Sequence, residues 1–199
     1  DVDLCFSCIN RLLVSHDLKP LDTLSQYREV FTFPIEDYYK RVGFDFDKIP
    51  FSMLAHEYME DYQEKSYACD LHSDVLDVVN KAKNLGFSQT VLSASKMDYL
   101  LKQMETLHVD DLFDSIYGIN DIYAKSKVEL AHAFKQTCSL DDEIYFVGDS
   151  VHDYEVAKSI GAKCILVTTG HQNRATLESV NVPVMDSLME SLDLIYERD

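Results

Sequence analysis

Ile144-Tyr145-Phe146-Val147-Gly148-Asp149-Ser150-Val151-His152-Asp153 decides how this chain is read. Four apolar residues in succession, without the polar alternation of a half-wet strand, predict a strand covered on both faces. Gly148 then lets the backbone turn tightly, and two acids four positions apart follow. Carboxylates at a buried strand end are expensive to desolvate without a cation, and hard oxygen ligands of this kind suit Mg²⁺. Asp149 as a mere helix cap is the plain alternative, but a cap requires neither the preceding glycine nor the second acid.

Upstream, Thr90-Val91-Leu92 predicts a second strand, followed at once by Ser93-Ala94-Ser95 and a helix through Leu100, Leu101 and Met104. Hydroxyl and N–H groups at a helix start form an anion site, although serine also caps helices. Lys125-Ser126-Lys127 precedes a helix expected to reach about Phe134. Lysine at a positive helix end runs against the dipole, which makes sense if it faces a phosphate or a carboxylate cluster; a solvated pair is the bland reading. The remaining pattern is a helix carrying Val75, Leu76, Val79 and Ala82 between a Ser73 cap and Gly86, a weak strand at Ile116-Tyr117, and a helix through Val156, Ala157 and Ile160 ending at Gly161. A strand at Cys164-Ile165-Leu166-Val167 and a closing helix from Leu188 to Leu194 complete it. Apolar strands alternating with amphipathic helices predict an α/β fold, a doubly wound parallel sheet whose chemistry sits at the carboxyl ends of its strands.

Before Leu71 the texture is different. Leu4, Cys5, Cys8, Ile9 and Leu12 recur at helical spacing, Pro20, Pro34 and Pro50 divide the segment into short helices, and Phe31, Phe33, Tyr38, Tyr39, Phe44, Phe46 and Tyr62 make it aromatic. The expected organisation is a small helical unit over 1–70 and an α/β core over 71–199. The five cysteines are odd in number and scattered, and Cys5 and Cys8 are read as buried, reduced thiols on one helix face rather than half of a zinc site. His56, His72, His108 and His132 show no ligand spacing; His152 sits inside the acidic loop, touching the site or solvated.

The chain of 199 residues carries 35 acidic against 18 basic side chains, a formal net charge of -17. Such a surface repels nucleic-acid phosphates and anionic lipid, so neither nucleic acid nor membrane is an expected partner. A small phosphate ester remains compatible, because a divalent cation and a lysine reverse the sign inside a pocket. No membrane span or signal peptide is visible, and the chain reads as cytoplasmic. Nothing in it speaks to oligomeric state.

A strand-end hydroxyl, a lysine before a later helix and a G-D-S-x-x-D loop, in that order, resemble the haloacid dehalogenase superfamily of phosphatases over nearly the whole chain. The pattern Ala157-Lys158-Ser159-Ile160-Gly161-Ala162 with Val167-Thr168-Thr169-Gly170 resembles the subgroup related to phosphoglycolate phosphatase, which carries an early helical cap. The resemblance implies a Mg²⁺-dependent phosphatase acting on a small phosphorylated metabolite, such as phosphoglycolate or a sugar phosphate, through an aspartyl phosphate. By it Ser93, with Ala94 and Ser150, holds the phosphoryl group, and Lys127, or alternatively Lys125, neutralises it. Asp149 holds Mg²⁺, and Asp153 supports the metal shell or the lysine. Arg28, Tyr38 and Lys40 are candidates to reach the substrate from the helical segment.

The family's first motif, D-x-D-G-T at the end of the first strand, departs here: Asp1-Val2-Asp3 has the spacing, but Leu4-Cys5 stands where Gly-Thr belongs, and no strand precedes it. The expectation is therefore an upstream strand, central in the sheet, that carries the nucleophile. Without it, two strands face each other with unpaired backbone groups. A phosphosugar mutase of the same fold, a phosphonate-cleaving relative using Lys40 or Lys19, and a non-catalytic phosphate-binding or metal-binding module are the alternatives.

Overall fold

The computed structural model describes residues 1–123 and 127–197. Four helices come first: α1 (Val2–Ser15), α2 (Leu24–Val30), α3 (Ile35–Arg41) and α4 (Phe51–Ser66). Pro34 and Pro50 stand at the N-caps of α3 and α4, where a missing N–H costs nothing and the fixed φ prepares the turn. The helices share one core of Ile9, Leu13, Tyr27, Tyr38, Tyr39 and Leu54. Cys5 and Cys8 are free and buried on the inner face of α1.

The α/β part follows in the order α5 (Val75–Asn84), β1 (Thr90–Lys96), α6 (Met97–Thr106), β2 (Ser115–Ile119) and α7 (Val128–Lys135). It continues with β3 (Tyr145–Gly148), α8 (Val151–Ser159), β4 (Lys163–Val167), α9 (Arg174–Glu178), β5 (Val184–Met185) and α10 (Leu188–Tyr196). Every strand pair is parallel. Gly86 and Gly161, with φ of +88° and +70°, end α5 and α8 in the left-handed region that glycine adopts without strain.

Two details differ from the sequence expectations. Asp74, not Ser73, is the N-cap of α5, and its Oδ2 accepts the Leu188 and Met189 N–H groups at the start of α10 instead of capping its own helix. Helix α9 and strand β5 were not foreseen: they are five and two residues long, too short for a periodic signal. The sheet is divided at the place where a further strand is expected from the sequence. β1 pairs with β2, β3 with β4 and β4 with β5, but among the described residues no strand pairing joins β1 to β3. The two halves meet through helices instead, with Leu92 and Phe146 packing on the shared cluster of Ala131, Val156 and Ile160. β4 is buried along Cys164–Val167, whereas β3 facing the division is only partly covered.

Candidate active site

A cavity of about 610 Å³ opens along this division and reaches up to the helical unit. Its floor is made by the carboxyl ends of β1 and β3. After Leu92 the register of β1 slips, so that Ser93, Ala94 and Ser95 bulge out of the ladder before it re-forms at Lys96. The Ser93 hydroxyl accepts the Ser95 N–H at 3.1 Å, and Ser93 and Ala94 line the cavity.

Opposite them, Gly148 turns the chain from β3 into α8. A side chain at Gly148 would land on the Asp153 carboxyl group, so this glycine is demanded by close approach. Asp153 is 1% exposed, and its Oδ2 accepts three donors: the Asp149 N–H at 2.9 Å, the Ser150 N–H at 3.0 Å and the Ser150 hydroxyl at 2.7 Å. Ser150 in turn accepts the Asp153 N–H, which completes a capping box on α8. The second acid of the motif is therefore part of a helix cap. The Ser150 hydroxyl, expected on the substrate, is engaged by Asp153.

Lys127, at the N-cap of α7, crosses to the same point. Its Nζ lies 2.6 Å from Asp153 Oδ1 and 3.4 Å from the Leu92 carbonyl, tying the two strand ends together. Burial opposes the charge on Asp153, but the Lys127 ammonium and the Ser150 and Asp149 donors outweigh it and hold the carboxyl below its usual range. Both Asp153 oxygens thus face protein groups, Oδ1 the Lys127 ammonium and Oδ2 the three donors. Lys125 and Ser126 lie outside the described residues.

Asp149 lines the cavity, and its Oδ2 accepts the His171 N–H at 2.6 Å. A Cβ at Gly170 would land on this carboxylate, so the loop after β4 is shaped to let Asp149 lie across it. Mg²⁺ is commonly held by one or two carboxylates, with water and phosphate oxygens completing its shell, and Asp149 at the cavity wall fits that requirement. Asp1, Cys5 and His171 also bring three ligand atoms within 4.8 Å of one another. Burial pushes the Cys5 thiol up to about 11, Asp1 is hydrogen-bonded by the Tyr62 hydroxyl and His171 Nδ1 by Tyr27, so this trio is a poor metal donor set.

Arg28 is not among the cavity-lining residues, and neither is Lys40, which pairs with Asp37 at the surface; Tyr38 lines the cavity from the side of the helical unit. His152 is buried, accepting the Lys127 N–H at 3.5 Å while its ring stacks on Phe33 at 5.0 Å, so it is a packing residue between the two halves. His171 and Gln172 escaped the sequence reading. The signal available was their place just after β4, since residues at strand ends face the ligand side of such sheets.

The first 167 residues match the model of the haloacid dehalogenase-like hydrolase family. Among solved structures, a haloacid dehalogenase-like family protein from Streptococcus pneumoniae aligns with a TM-score of 0.82 at 18% identity over 98% of this chain and 92% of its own. A predicted phosphatase from Clostridium acetobutylicum gives 0.80 at 19% identity, with the same coverage of 98% and 92%. A predicted phosphoglycolate phosphatase from Haemophilus somnus gives 0.72 at 15% identity over 98% and 91%. No match was found among curated protein sequences. With the family model spanning the helical unit and the core strands as far as β4, the chain belongs to the haloacid dehalogenase-like hydrolases.

Proposed function

We propose that this protein is a Mg²⁺-dependent phosphatase that hydrolyses a small phosphorylated metabolite, with the helical unit over 1–70 acting as a cap above an α/β core. The observation that carries this reading is the meeting of Lys127 with Asp153 beside Ser93 and Asp149, at the carboxyl ends of two parallel strands and on the wall of one cavity. In it, Ser93 and the bulged backbone around Ala94 receive the phosphoryl oxygens. Lys127, fixed by Asp153, neutralises their charge, and Asp149 holds the ion, which supplies further charge neutralisation when bound. The cap keeps water from the reacting centre.

The nucleophile of this reading is an aspartate on a strand between β1 and β3. The divided sheet supports it, because a parallel strand there would pair both free edges and bring its carboxyl end to Ser93, Lys127 and Asp149. Phosphoryl transfer to that aspartate and hydrolysis of the aspartyl phosphate by water follow.

The test is phosphate release from a panel of phosphomonoesters, with and without Mg²⁺, by the protein and by Asp149→Asn and Lys127→Met. Both substitutions are expected to lower kcat by at least about 100-fold, the scale of losing a group aimed at the transition-state charge. Unchanged turnover in Asp149→Asn, or binding of Mg²⁺ and phosphate with no turnover in the parent, would replace the phosphatase with a binding module.

A further inference from the structure

The loop over 168–173, after β4, touches both halves of the molecule at once. Gln172 is 3% exposed, and its side-chain amide is engaged at each end. Oε1 accepts the Val151 N–H at 2.7 Å, at the first turn of α8, and Nε2 donates to the Phe31 carbonyl at 3.0 Å, in the helical unit. His171 repeats the pattern. Its N–H donates to Asp149 Oδ2 at 2.6 Å, while its ring pairs with the Tyr27 hydroxyl at 2.8 Å and stacks on Phe31 with centroids 4.6 Å apart. Two adjacent residues thus hold the helical unit with one group and the Asp149 turn with another. Gly170, immediately before them, leaves the room that Asp149 needs.

If the helical unit lifts, the Phe31 carbonyl and Gln172 Nε2 lose each other, and the His171 ring loses its hydroxyl and its stacking partner together. Water takes up the freed polar groups, so each lost hydrogen bond counts only its net value, and the loop favours the docked arrangement through several such contacts together.

We propose that Gln172 and His171 are positioning residues that make docking of the helical unit and seating of the Asp149 carboxylate one event. The consequence for turnover rests on the phosphatase reading of Asp149; the coupling itself does not, and is readable without activity. A substrate that draws the helical unit down sets the acid in the same movement, and an undocked molecule is deprived of both.

The experiment is amide hydrogen exchange at His171 in the full chain, comparing the parent with Gln172→Leu and Gln172→Glu. The glutamate keeps an acceptor for Val151 but loses the donor to Phe31, so it severs the helical side alone. Both variants are expected to exchange about tenfold faster at His171, the scale of one lost hydrogen bond, while exchange in β4 stays at the parent rate. Under the phosphatase reading kcat falls by a similar factor, and Tyr27→Phe, which removes a hydroxyl and no bulk, gives a smaller change in the same direction. Unchanged His171 exchange in Gln172→Glu overturns the coupling even if turnover falls, and should the Gln172 variants not fold, unchanged exchange in Tyr27→Phe overturns it. Faster exchange in a protein that hydrolyses no phosphomonoester upholds the coupling and defeats the phosphatase reading alone.

Discussion

The helical unit and the α/β core are built from similar proportions of apolar side chains, yet they bury them in opposite ways. Helices α1 to α4 close on one continuous core in which Leu54 is fully buried and tyrosines pack at a tilt against phenylalanines. The core breaks into three smaller clusters around a slot. Its strands show the contrast most directly: Leu166 on β4 has no exposure, while Val147 on neighbouring β3 is 37% exposed. Composition does not separate these strands, but their neighbours do, since β4 has a strand on either side and β3 has one. The charged and hydroxyl groups of the candidate site gather where the packing is interrupted. An interruption is where a ligand, or a further strand, finds unsatisfied surface.

The hardest blow to the core half is expected from Asp153→Ala. It leaves the Lys127 ammonium facing the slot without its carboxylate and removes the capping box of α8 together. Removing one member of a buried pair typically costs about 3–5 kcal/mol. Urea unfolding followed separately in the two halves should show that loss over 71–199 and little over 1–70. A loss below about 1 kcal/mol would mean that Lys127 is solvated as soon as its partner is removed, and that the pair behaves as a surface pair.

A matched pair of truncations sharpens the comparison. Leu54→Ala, at a fully buried position of α4, is expected to cost about 2–5 kcal/mol. Val147→Ala should stay within about 0.5 kcal/mol where the slot is open, as at other exposed positions. The strand of the phosphatase reading would cover Val147 and raise its cost toward that of a core truncation. A cost within about 0.5 kcal/mol would count against that strand, and with it against the phosphatase reading.

How far the sequence discloses this structure depends on how local each cause is. Ile144 to Val147 is legible because a continuous apolar run needs no partner to be recognised, and the predicted strand appears one residue later, at Tyr145–Gly148. Ser93, Lys127 and Asp149 are legible as residue types at the ends of elements, and the fold does bring them to one cavity. Asp153 is legible as the second acid of the loop, while its capping box with Ser150 rests on the Ser150-x-x-Asp153 spacing at a helix start. Val184-Met185 is a strand only because Leu166 and Val167 pair with it, a cause invisible in two residues. Gln172 is the extreme case. Its partner Phe31 stands 141 positions away, and no local pattern announces a contact at that range.

The gentlest way to separate the halves is pH, because their buried titratable groups are of opposite kinds. In the core, burial works against the Asp153 charge, but Lys127 and the surrounding donors hold its pKa below the ordinary 3.8. Its contribution to stability is therefore complete above 3.8 and is lost as pH falls through the folded value, where the unfolded chain binds the extra proton. In the helical unit, burial raises Tyr27, Tyr38 and Tyr39 above their ordinary 10.0. Here the folded state keeps protons that the unfolded chain gives up, so stability is intact below 10.0 and declines as pH rises beyond it. Region-resolved hydrogen exchange should show 71–199 loosening first in acid and 1–70 first in alkali. Loss of both halves at the same acid and the same alkaline pH would show that they unfold as a single unit, with the contacts of Gln172 and His171 strong enough to override the difference between their cores.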